Sequence, residues 1–80
     1  MNDKDVNLKV AQIKLEFVQT LINKLTQYRQ EIINDKIVPS AIKNGNFQTK
    51  SGVISGVFYS INELFDERDN LEKQIAQMTA

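Results

Sequence analysis

The sequence predicts an all-α protein: an antiparallel two-helix hairpin that assembles into a four-helix bundle with a second copy or a helical partner. Three observations lead there. Residues 53–78 carry an apolar repeat at alternating spacings of three and four, the a/d signature of a helix packed against another. Residues 6–33 carry apolar rows of helical period over a comparable length. The stretch between them holds the chain's single Pro and an Asn-Gly pair. The expected bounds are a first helix over residues 5–36, a loop over 37–51 and a second helix over 52–78, in one domain covering 1–80.

The first helix opens on polar residues, and Asp3 or Asp5 is expected to cap it and to complement its dipole. From Val6 the 3.6-residue period sets in. Val6, Val10, Ile13, Phe17, Leu21, Leu25, Tyr28 and Ile32 form one row; Leu8, Leu15, Val18, Ile22 and Ile33 lie beside it. Together they cover roughly 220° of the helix, against about 100° for a helix with one partner. The core-facing set is expected to include Val10, Ile13, Phe17, Leu21, Leu25 and Tyr28. The remaining face (Gln12, Glu16, Gln19, Asn23, Gln27, Gln30 and Asn34) is an amide strip, read as solvated, with a polar contact surface as the alternative.

Pro39 biases Val38 out of the helical region, so the first helix should end between Asn34 and Val38. Asn44-Gly45 is a turn signal, since both residues tolerate positive φ. Ala41, Ile42 and Phe47 are apolar enough for a short helical turn or for packing across the open end of the hairpin. Ser51 is the expected N-cap of the second helix.

In the second helix Ile54, Val57, Ile61, Leu64, Leu71, Ile75 and Met78 form the seam, with Arg68 at its one non-apolar position. Ile54, Val57, Ile61, Leu64 and Leu71 are expected in the core. Phe58 and Phe65 each follow a seam position and widen it to one side. Gly52, Gly56 and Ser60 stand four apart on one face. An interior Gly is about 1 kcal/mol poorer than Ala in a helix. The stripe is therefore read as a close crossing by the first helix or by a partner, the alternative being a helix that starts near Val57. Arg68 calls for a counter-ion, Glu72 or an acid on a partner, unless its head reaches water. Asp69–Lys73 and Arg68–Glu72 have the spacing of exposed helical pairs.

Composition limits the chemistry. Ten basic and ten acidic residues cancel, with no Cys, His or Trp. That removes disulfides, thiolate chemistry and the usual zinc ligands. Residues 1–45 hold seven basic and five acidic side chains and residues 46–80 hold three and five, so the halves carry +2 and −2 and attract each other. This is no footprint for a phosphate backbone. No run of apolar residues is long enough to span a membrane, and the N-terminus lacks the apolar core of a secretory signal. Synthesis in the cytoplasm is expected, with any secretion by a route that needs no cleaved signal peptide. Glu63, Asp66, Glu67, Asp69 and Glu72 are read as a solvated acidic face, not a metal or acid–base site. Gly52 and Gly56 fit no phosphate-binding loop. No catalytic residue, metal, cofactor or small-molecule substrate is expected.

Two short patterns remain, Phe65-Asp-Glu-Arg-Asp69 and Tyr59-Ser-Ile-Asn-Glu63. Each sets an aromatic ring and a carboxylate one helical turn apart. With the chain's length, its two long amphipathic helices and its central loop, the Phe65–Asp69 pattern resembles the aromatic–acid export motif of the WXG-type helical hairpins of type VII secretion. The nearest in outline are the small partner proteins of LXG toxins. Lys50-Ser51-Gly52 stands where that family has its W-x-G. The resemblance implies pairing with another hairpin or with a toxin's helical region, a targeting or chaperone role, and Phe65 and Asp69 as export contacts. The alternative is a self-associating accessory or regulatory protein of phage or plasmid type, acting as a homodimer. For either, the expected interface residues are Phe17, Leu21, Tyr28, Phe58, Leu64 and Arg68.

Overall fold

The computed structural model describes residues 3–39 and 49–80. Helix α1 spans Asp3–Ile33. Asp3 and Asp5 lie inside its first turn, where their carboxylates complement the positive end of the helix dipole. The helix stops short of the expected residue 36 because Asp35 turns left-handed, with φ at 60°. That turn folds the chain back on the helix end. The Lys36 N–H donates to the Glu31 carbonyl at 2.9 Å and the Asp35 N–H to the Ile32 carbonyl at 3.1 Å, a Schellman arrangement that satisfies two of the last carbonyls. Pro39, which the sequence suggested as the breaker, lies beyond this stop and is buried.

Helix α2 spans Lys50–Thr79. Its N-cap is Thr49, not Ser51. Thr49 is extended, and its Oγ1 accepts the Gly52 N–H at 3.0 Å, the bond from N-cap to third helical residue that a cap makes. Ser51 sits within the first turn. Lys50 then ties the two helices at their closed end. Its Nζ lies 2.6 Å from Asp35 Oδ1 and donates to the Ile33 carbonyl at 3.4 Å, placing a cation on the negative end of α1. The Asn44-Gly45 turn and Ala41, Ile42 and Phe47 lie outside the described residues.

The two helices pack antiparallel along their length, and no strand occurs among the described residues. The molecule measures 53 × 20 × 18 Å, and among the described residues it is one pair of helices thick. The seam of α2 is the expected one: Ile61 and Leu71 are buried, and Ile54, Val57, Leu64, Arg68, Ile75 and Met78 are half-buried. Val18, Ile22 and Leu71 form the central cluster, with Leu15, Leu64 and Phe65 packed against it.

On α1 the packed face differs from the expected one. Ala11, Val18, Ile22 and Ile32 are buried, and Leu8, Leu15, Leu25 and Arg29 are half-buried. Read in order, Leu8, Ala11, Leu15, Val18, Ile22, Leu25, Arg29 and Ile32 alternate spacings of three and four, the same pattern as the α2 seam. Val10, Ile13 and Phe17, placed in the core by the sequence reading, are exposed; Leu21 and Tyr28 are half-buried. The reason is rotational. A four-residue step advances about 40° around a helix and a three-residue step recedes about 60°. The row from Val6 takes three successive fours after Ile13, so it starts on the outer face and wanders into the seam only at Leu25 and Ile32. The strict alternation beginning at Leu8 stays with α2 throughout, as a shared heptad seam requires.

Candidate interaction surface

The most exposed large apolar side chains of α1 lie on one face. Val6 and Val10 are 44 % exposed, Ile13 59 % and Phe17 64 %. Their spacings of four, three and four put them on one stripe, turned away from the seam. Leu21 extends the stripe and is half-buried, and Lys24 follows it. The hairpin itself leaves this face uncovered. The amide strip is a different surface: all of its members are exposed. Parts of it bond along the helix, Gln27 Nε2 to Glu31 Oε1 at 3.2 Å and Gln30 Nε2 to Asn34 Oδ1 at 3.4 Å, as a solvated face does.

The side of α2 that carries Phe58 and Phe65 is built on two arginine–aromatic stacks. The Arg29 guanidinium crosses from α1 and lies 5.1 Å from the centre of the Phe58 ring. Arg68 lies 4.9 Å from the centre of the Phe65 ring. Each arginine occupies a position in the strict seam of its helix, its stem packed and its head on an aromatic face. In each, Nε is buried and has no hydrogen-bond partner. Glu72, the expected counter-ion of Arg68, is not the group beside it; Asp69 Oδ1 is, at 3.5 Å from Nη2. A pair this long, with the arginine side chain 35 % exposed, adds little to stability. The row of apolar residues from Val6 bypasses Arg29. Its place in the strict Leu8–Ile32 alternation was the signal for it.

The remaining expected site residues fall as follows. Leu64 and Phe65 pack against the central cluster, so both contribute to the hairpin's own core. Asp69 is exposed, as are Phe58 and Tyr59. Gly52, Gly56 and Ser60 are exposed, and a Cβ on Gly56 would meet nothing within 4 Å. The first helix therefore does not cross closely at Gly56. The stripe lies off the α2 seam, and Ser60 Oγ donates to the Gly56 carbonyl of its own helix at 3.1 Å. At the closed end Ile32, Ile37, Val38, Pro39, Asp35 and Lys50 line a largely apolar recess.

Among the described residues no group of three or more carboxylates is placed to hold a metal ion. No helix among them is long and apolar enough to cross a membrane. In comparisons with known proteins, no family model, no curated protein and no solved structure matches the chain.

Proposed function

We propose that the chain is a non-enzymatic interaction protein, a helical hairpin that uses the outer face of α1 to join a helical partner or a second copy in a four-helix bundle. The observation that carries this reading is the stripe Val6, Val10, Ile13 and Phe17, exposed on one side of an otherwise ordered helix. Contiguous exposed apolar surface marks interfaces in soluble proteins. Two hairpins, each one helix pair thick, can cover such faces against each other with helices near 20°.

In its narrower form the hairpin is a targeting or chaperone partner of a type VII secreted toxin. Its two-helix outline and the exposed Asp69 beside Phe65 support that form. The half-buried state of Phe65 limits what a receptor can reach of its ring. A self-associating accessory protein is the second form, favoured by the charge pattern described below. Light scattering combined with size exclusion over a range of concentrations tests the common reading. Assembly, or an apolar dye bound by the isolated chain and released by a helical partner, is the expected result. A folded monomer that binds no dye at high concentration contradicts it.

A further inference from the structure

We propose that the occupant of the α1 face is the same face of a second copy, running antiparallel, with the two-fold axis passing between Ile13 and Lys14. This deepens the interaction reading above and rests on it. The argument comes from the order of residues along the exposed stripe. From Asp3 the face runs through Val6, Val10 and Ile13; from Lys14 it runs through Phe17 and Leu21 to Lys24. The spacings are three, four, three on both sides of the Ile13–Lys14 bond. Reversed about that bond, Asp3 falls on Lys24, Val6 on Leu21 and Val10 on Phe17, while Ile13 falls beside Lys14 at the axis.

In that register Val10 meets Phe17 of the second copy and Val6 meets its Leu21. Asp3 meets Lys24, twice by symmetry. Asp3 and Lys24 are exposed and make no ion pair with any other described residue of the hairpin. An antiparallel pairing centred between Ala11 and Gln12 sets Val6 against Phe17 and Val10 against Ile13 but leaves the charges of Asp3 and Lys24 unmatched; the other arrangements are worse by charge. A parallel pairing sets Asp3 against Asp3 and Lys24 against Lys24. An antiparallel pairing slid by one heptad toward the C-terminus brings Asp3 against Glu31 and Val10 against Lys24. A slide by two heptads sets Val10 against Glu31 and carries Val6 past the end of α1 at Ile33. Opposite charges at the ends of an apolar stripe thus select both direction and register, as rim charges do in paired helices.

The chain has no cysteine, so single introduced thiols report the register without background. With a short thiol-reactive crosslinker on the full chain, Ile13→Cys should couple to itself. Val6→Cys and Leu21→Cys should each couple poorly alone and well when mixed. Asn23→Cys, on the amide strip, should not couple. Phe17→Glu should keep its helical circular dichroism, because Phe17 is exposed in the hairpin, and should raise the dimer dissociation constant by about thirtyfold or more, as loss of a central aromatic anchor does. Lys24→Asp should weaken the dimer, and Asp3→Lys in the same chain should restore it. A dimer in which Val6→Cys couples to itself, or one insensitive to Phe17→Glu, overturns the proposal. So does a monomer that binds an apolar dye and is covered by a different helical protein, an outcome that leaves the interaction reading standing. A folded monomer without dye binding overturns both.

Discussion

Replacing Leu71 by Ala removes a branched apolar side chain from a position only 3 % exposed, at the centre of the Val18–Ile22–Leu71 cluster. The transfer loss and the cavity left behind together amount to about 2–5 kcal/mol for a buried Leu. A small domain holds roughly 0.05–0.15 kcal/mol per residue, so the whole fold has on the order of 5–10 kcal/mol to lose. At about 4–8 °C per kcal/mol the midpoint should fall by at least about 10 °C, and unfolding at room temperature is within range. Phe17→Ala is the contrast. Burying a Phe side chain fully is worth about 1.5–3 kcal/mol. Phe17 is 64 % exposed in the hairpin, so only about a third of that, near 0.5–1 kcal/mol, is at stake within one chain. Thermal melts followed at 222 nm should be run at high dilution, where mass action removes any contribution from assembly. If Phe17→Ala is as damaging as Leu71→Ala under those conditions, the strict Leu8–Ile32 row is not the face that meets α2.

The other expectations are local. Gly56→Ala should stabilise the diluted protein by about 1 kcal/mol, since the added Cβ meets open space and Ala is the better helix former; a loss in chemical denaturation would mean that another backbone lies there. Asp35→Val, which forces a β-branched residue into the left-handed region and removes the Lys50 contact, should lower the melting midpoint by the equivalent of about 1–2 kcal/mol, whereas Asp35→Gly should change it by less than about 1 kcal/mol. Thr49→Ala should cost about 0.5–2 kcal/mol in urea titrations through loss of the cap on Gly52, and Ser51→Ala should cost less; the reverse order would refute the cap assignment. Asp69→Ala should leave the hairpin's stability unchanged while Phe65→Ala lowers it, so that an export defect in a still-folded Asp69→Ala protein is the cleaner sign of a secretion motif.

The sequence by itself determined the two helices and the whole packed face of α2. That helix has one apolar stripe in strict three–four alternation, so its periodicity leaves a single way to bury it, and Ile61 and Leu71 duly lie innermost among its residues. The side of α1 that meets α2 was decided by the tertiary structure. Periodicity reports angles between residues around one helix axis, and α1 has apolar residues over more than half its circumference; it does not report how that helix is rotated against its neighbour. Packing against an uninterrupted heptad selected the row from Leu8 to Ile32, brought Arg29 onto the Phe58 ring and turned Val6, Val10, Ile13 and Phe17 outward. The ends of the helices followed the same division. Pro39 and Asn44-Gly45 announced a break, but the stop came earlier, because a left-handed Asp35 satisfies the last carbonyls of α1 and, held by Lys50 from the start of α2, closes that end of the hairpin.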